Sequence, residues 1–229
     1  MSGKTSKAST QVRTSAAEIV REYGPFPGVE KVNGVTCDGK NVWAAVGASL
    51  IAIDPKSGAT TCTLPRAGDA GTAFDGKYLY QIAEARIDKI DPATGEVVHS
   101  IPAPGQGKDS GMAWADGSLW VGQYRERKIH QVDPETGKVL RTIESNRFVT
   151  GVTWVDGELW HGTWEGDESD IRRIDPESGA VLERLEMPRG TGVSGIESDG
   201  AELFYCGGGP SGKVRAVRRP KGSRPDVRR

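Results

Sequence analysis

Glu84, Asp109, His161 and Glu165 are the side chains best suited, by type and place, to move a proton. His161 opens the run His161-Gly-Thr-Trp-Glu165, and an imidazole titrates near neutrality. In that run a Trp beside a Glu offers an apolar wall next to a carboxyl, and burial there would raise the carboxyl's pKa. His161 also fills a slot that related segments give to Ala44, Gln81, Val121 and Tyr205. Tyr124-Arg125-Glu126 is a second polar and aromatic cluster. Carboxylates gathered out of bulk water repel one another, so an acid–base site of this kind needs a cation. Arg125 or Arg147 could supply it, as could a divalent metal, magnesium or calcium. Trp164 and Tyr124 would wall a small pocket, with Gln81 a further polar contact.

These residues are scattered along the chain, and a fivefold repeat is what can gather them. Gly34-Val-Thr-Cys-Asp38-Gly39, Gly71-Thr-Ala-Phe-Asp75-Gly76, Gly111-Met-Ala-Trp-Ala-Asp116-Gly117, Gly151-Val-Thr-Trp-Val-Asp156-Gly157 and Gly195-Ile-Glu-Ser-Asp199-Gly200 are copies of one segment. Asp54-Pro55, Asp91-Pro92, Asp133-Pro134 and Asp175-Pro176 keep the same step of about 40 residues, a period that signals stacked or radial repeats. Within the third unit, a short strand from Gly111 runs to Asp116-Gly117, a pair suited to a tight hairpin. Ser118–Gly122, Lys128–Val132 and Lys138–Ile143 read as three more strands, the last two joined by an Asp-Pro turn. Each unit is thus a four-stranded antiparallel meander, and the whole an all-β, five-bladed β-propeller. Trp43, Tyr80, Trp120, Trp160 and Phe204 recur in the second strand and are expected to pack blade on blade.

The fifth unit ends after three strands. Ala17–Tyr23 matches the outer strands of other units, so the N-terminal segment is expected to close the last blade; a short amphipathic helix is the alternative. This divides the chain into a disordered lead (1–13), a propeller (14–219) and a basic disordered tail (220–229).

The net charge is −1 but uneven. Residues 211–229 carry eight Lys or Arg and one Asp, a net +7, so the remainder stands at −8. Such a basic tail could touch nucleic acid or anionic lipid, but a solvated tail is the expectation, and nucleic acid is not the expected partner. The lead has no apolar run of the kind a signal peptide or membrane span needs, and Cys37, Cys62 and Cys206 lack metal-ligand spacing. A soluble, cytoplasmic protein with free thiols is the expectation. The Asp-Gly and Asp-Pro carboxylates read as turn residues, because calcium loops would need carboxylates two residues apart.

The Gly-x-x-Trp-x-Asp-Gly-x-Leu-Trp pattern and the Asp-Pro turn that follows it, at 111–139 and 151–181, resemble blades of virginiamycin B lyase. They are also similar to NHL-type, gluconolactonase-like and plant-type glutaminyl cyclase propellers, over residues 17–217. The resemblance to the lyases implies magnesium and a catalytic His. The resemblance to the cyclases implies five blades. Those cyclases carry Phe-Gly-Glu-Gly before an inner strand, where this chain has Phe148-Val-Thr-Gly151.

In this strand order the outer-to-inner and second-to-third connections share one face, and the Asp-Gly and Asp-Pro turns fall on the other. The expected function is an enzyme of lyase, cyclotransferase or hydrolase type acting on a small polar molecule at the channel mouth. A non-catalytic ligand-binding ring or a protein-interaction ring is the alternative. The enzyme reading requires side chains from at least three connections to line one cleft. His161 buried between blades, with the carboxylates splayed into solvent, would favour the binding module.

Overall fold

The structure, a computed structural model, describes residues 12–221. Most of the lead and tail named above lies outside that range. Two strands come first, β1 (Arg13–Ala16) and β2 (Ile19–Tyr23). Blade 1 is β3 (Gly34–Cys37), β4 (Val42–Ala45), β5 (Leu50–Ile53) and β6 (Thr60–Leu64). Blade 2 is β7 (Thr72–Phe74), β8 (Leu79–Ala83), β9 (Arg86–Ile90) and β10 (Val97–Pro102). Blade 3 is β11 (Asp109–Ala115), β12 (Ser118–Gln123), β13 (Lys128–Val132) and β14 (Val139–Glu144). Blade 4 is β15 (Val149–Val155), β16 (Glu158–Glu165), β17 (Glu168–Ile174) and β18 (Val181–Glu186). Blade 5 is β19 (Gly195–Ser198), β20 (Leu203–Gly207) and β21 (Val214–Arg218), completed by β2. The chain is a five-bladed propeller of four-stranded antiparallel blades.

Closure follows from sequence pattern. β2 pairs antiparallel with β21, Ile19 opposite Val217 and Tyr23 opposite Val214. Tyr23 and Phe26 then enter the apolar cluster of Val35, Tyr205 and Val214, while Glu22 faces outward to Lys213 (2.8 Å) and Arg215 (2.7 Å). The same segment does something the pattern does not announce. β1 runs parallel to β18, Arg13 opposite Glu183 and Ala16 opposite Glu186, and gives blade 4 a fifth strand. The segment therefore straps two blades. The helix alternative is not what forms.

The recurring second-strand aromatics pack between blades. Tyr80 stacks on Trp114 of the next blade at 5.4 Å, Trp120 on Trp154 at 5.0 Å, and Trp160 meets Phe204 at 5.1 Å. Such offset or tilted pairs add to their large burial. The Asp-Gly turns divide into two kinds. Asp116 and Asp156 take positive φ (48° and 53°) in two-residue hairpins, as a tight turn requires. In units 1, 2 and 5 the Asp comes one residue sooner after its Gly and serves instead as an acceptor. Asp38 Oδ1 accepts the Lys40 and Asn41 N–H groups, and Asp75 Oδ1 those of Lys77 and Tyr78. Asp54, Asp91, Asp133 and Asp175 cap their Asp-Pro turns in the same way.

The first glycine of each copy has a different task. Gly34, Gly71, Gly111, Gly151 and Gly195 form a girdle at the axis. A Cβ on Gly111 would lie 2.3 Å from the Gly151 Cα, and one on Gly195 would lie 2.8 Å from the Gly34 Cα. Only hydrogen fits between backbones that close. The inner strands thus converge at one level, and what lies above it is a cup.

Candidate functional site

The cup is lined from all five blades and holds about 350 Å³. Its floor comes from the residues just before the girdle glycines: Asn33, Ala70, Ser110, Thr150 and Ser194. Most of their polar groups are spent on neighbouring backbone. Asn33 Nδ2 donates to the Gly68 carbonyl (2.8 Å), Ser110 Oγ to Val149 (2.6 Å) and Ser194 Oγ to Val32 (2.5 Å). Each of these bonds reaches the next blade, so the floor is rigid. Asp69 and Asp109 bring carboxylates to the cup, and Lys31 stands on its exposed rim.

One wall is built by the blade 4 hairpin, in which β16 and β17 are longer than the matching strands elsewhere. It carries Trp164 over the cup. The indole lies on Gly192 and Gly209 so closely that a Cβ on either would come within 2.5 or 2.6 Å of it. Trp164 Nε1 donates to the Gly166 carbonyl (3.0 Å), and the Tyr124 hydroxyl donates to the Trp164 carbonyl (2.9 Å). Tyr124 packs on Phe148 at 4.7 Å. The hairpin is held from blade 3 on one side and seated on blade 5 on the other.

Asp109 is the carboxyl with the strongest case for chemistry. It begins β11, half-buried, with Oδ1 and Oδ2 both 2.9 Å from the Gly105 N–H. Burial pushes its pKa above the usual carboxylate value, opposed by the Gly105 N–H and the Gln123 amide. A carboxyl in that condition can exchange a proton more readily than one in open water.

The other expected site residues fall elsewhere. His161 is fully buried inside blade 4: Nδ1 donates to the Gly162 carbonyl (3.1 Å) and Nε2 faces Ser145 Oγ (3.4 Å). Burial first, then the Arg172 charge, lowers its pKa to about 4. It does not line the cup, because its strand is covered on both faces. Glu165 is locked at the rim, accepting the Phe148 N–H (2.8 Å) and pairing with Arg147 (3.4 Å). Arg147 is in turn shared with Glu168 and is not a free cation for the cup. Glu84 points into solvent beside Arg86, and Arg125 is exposed away from the cavity. Gln81 is buried behind the floor, its Nε2 donating to the Ala70, Gly71 and Ile82 carbonyls. Of the expected set, Asp109, Tyr124 and Trp164 meet in one cavity. Among the described residues no three His, Cys, Asp or Glu side chains converge as a metal-binding group.

A larger cleft, about 1050 Å³, opens between blades 4 and 5 beside β1. Most of its charges are paired, with Arg218 on Glu18 (2.8 Å), Arg219 on Asp156 and Glu158 on Arg173 (2.6 Å). Glu197 is a charged residue outside the expected set. It sits two residues after its girdle glycine, where the other units carry Thr36, Ala73, Ala113 and Thr153. Aligning the five copies would have exposed it as the one charged member.

Residues 83–226 match the model of the PQQ_2 family, described as outer membrane protein assembly factor BamB. The chain belongs to that family. No curated protein matches it. A crystal structure of Myxococcus xanthus glutaminyl cyclase is similar, with TM-score 0.73 and 16% identity, over 91% of this chain and 98% of that one. A chain of the mitotic checkpoint complex gives 0.56 at 12% identity, over 96% and 97%, and U3-55K gives 0.56 at 9%, over 91% and 100%. At these identities the likeness is one of fold. No helix among the described residues is long and apolar enough to cross a membrane.

Proposed function

We propose that the cup binds a small polar molecule and that Asp109 acts on it as a general acid–base. The observation that carries this reading is a half-buried carboxyl, raised in pKa, on the wall of a closed-floored cavity of small-molecule size. Trp164 and Tyr124 supply the apolar side, and the fixed Ser and Asn groups leave backbone and hydroxyl edges for orientation. For an amide substrate, Asp109 in its ionised form takes the proton of an attacking amine or water and returns it to the departing nitrogen.

The structural likeness to a glutaminyl cyclase makes N-terminal glutaminyl peptides the first substrates to try. In that reaction the α-amine bonds to the side-chain carbonyl carbon, the carbon–nitrogen bond of the amide breaks, and ammonia leaves. The test is ammonia release and pyroglutamate formation across such peptides and simple amino-acid amides, with Asp109→Asn alongside. Turnover that survives Asp109→Asn undiminished would remove Asp109 from the mechanism. Absence of both turnover and calorimetric binding across the panel would end the small-molecule reading.

A protein-interaction role has an observation of its own. Val97 and Val98 on β10 and Val139 and Leu140 on β14 are exposed on the outer strands of adjacent blades. The family's description as an assembly factor fits such a use.

A further inference from the structure

The cup has acceptors to spare and few donors. Apart from Lys31 on the rim and Thr150, its side-chain donors end on backbone carbonyls. Asn33 Nδ2 goes to Gly68, Ser110 Oγ to Val149 and Ser194 Oγ to Val32, and the Tyr124 hydroxyl and Trp164 Nε1 go to Trp164 and Gly166. A carbonyl can only accept, so each of those protons is committed. What Asn33 and Ser110 still offer is a carbonyl oxygen and hydroxyl lone pairs. Asp69 and Asp109 add two carboxylates, and the N–H groups of Glu84 (3.0 Å) and Gly105 (2.9 Å) use only part of what their oxygens can accept. Thr150 is different. Ser110 and Ser194, at the same place in the adjoining blades, each reach a carbonyl. Thr150 lines the cup at 5% exposure, and among the described residues its Oγ1 has no partner. A hydroxyl buried without a partner costs free energy that a ligand bonding to it restores.

We propose that the cup selects a small organic cation, an ammonium or guanidinium, whose N–H groups go to Asp69, Asp109 and Thr150 and whose apolar part lies against Trp164 and Tyr124. This rests on the reading of the cup as a small-molecule site and names the chemical class it takes. A cavity rich in acceptors is satisfied by a ligand that brings donors. An anion would meet carboxylates and lone pairs instead, and that mismatch is what excludes it. Charge points the same way. Two carboxylates face one lysine, and Lys31 is exposed to water that screens it, whereas Asp109 is half-buried. The aromatic wall adds to this preference, since the faces of Trp and Tyr attract cations.

The experiment is calorimetric binding to the full chain, at about pH 7, of three probes with one skeleton. Leucinamide carries a largely protonated α-amine there, N-acetyl-leucinamide is neutral and N-acetyl-leucine is an anion. Leucinamide is expected to bind at least about tenfold more tightly than either acetylated probe. Asp69→Asn, which keeps an acceptor for the Glu84 N–H, and Asp109→Asn should each weaken leucinamide by about fivefold or more and narrow its lead over N-acetyl-leucinamide. Thr150→Val keeps the shape and removes the hydroxyl. It should weaken leucinamide severalfold while the melting temperature holds or rises, a pairing that a merely structural threonine would not give. If N-acetyl-leucinamide binds as tightly as leucinamide, the cation preference is overturned and the small-molecule cup stands. If none of the three binds, and glutaminyl peptides do not either, the cup and its preference fall together. Unchanged leucinamide affinity in Asp69→Asn, Asp109→Asn or Thr150→Val overturns the placement of the cation on that residue.

Discussion

A carboxyl's chemistry is decided by how much water it has lost and what replaced that water. Asp109 and Glu84 flank the same face, yet one is half-buried under the Gly105 N–H and the other is in solvent. Glu84→Gln is accordingly expected to leave turnover within about twofold of the native value, while Asp109→Asn abolishes it; steady-state rates on the same substrate separate the two. Asp109 could be read from the sequence because it sits in a connection whose destination the repeat dictates. His161 could not be placed, because a histidine one step inside a strand looks the same on paper whether its strand faces a channel or a neighbouring blade. Glu165 misleads for a related reason. Its partners, the Phe148 N–H and Arg147, come from a connection whose path only the fold reveals.

At the level of elements, the repeat exposed the blades and the turns that punctuate them. Asp116 shows how tolerant those turns are. At φ 48° an Asn serves as well as an Asp, so Asp116→Asn is expected to shift stability by less than about 1 kcal/mol in a denaturant titration and to leave activity untouched. The N-terminal strap should be graded. Removing residues 1–11 should change the melting temperature little, removing 1–16 should uncover the β18 edge and lower it modestly, and removing 1–24 should open blade 5 and lower it severely. Equal melting temperatures for the last two truncations would mean that β2 does not close the ring. β2 was readable because it copies other outer strands. β1 was not, because Arg-Thr-Ser-Ala has no alternation and its attachment to β18 is made through the backbone.

For the whole molecule, buried His161 and partly exposed Glu197 set opposite limits on pH. His161 has a folded pKa of about 4, below its ordinary 6.5. Its contribution to stability is therefore complete above 6.5 and is lost as pH falls through 4. Glu197 is raised from 4.5 to about 7, so its contribution is complete below 4.5 and is lost as pH rises through 7. Stability should peak on mildly acidic ground between them. His161→Gln, which places in blade 4 the residue blade 2 carries at that slot, should remove the fall below 4.5 and leave stability rising as pH drops from 7 toward 4.5 in thermal melts; a profile of native shape would show that other groups govern it. Asp38 and Asp170, whose pKa values are lowered, release their share only below 3.8.

The girdle of glycines also governs traffic. With five backbones drawn together beneath the floor, the cup has a single doorway, and whatever enters must back out the way it came. On the proposed enzymatic reading, spent product stands in the path of the next arrival and should inhibit competitively. A long chain could offer only its tip, since nothing can be threaded through. Gly151→Ala would force a methyl to within 2.5 Å of the Ile196 nitrogen, and the ring would have to widen or unfold around it. A dead-end vestibule favours chemistry on termini and free small molecules over chemistry in the middle of a polymer.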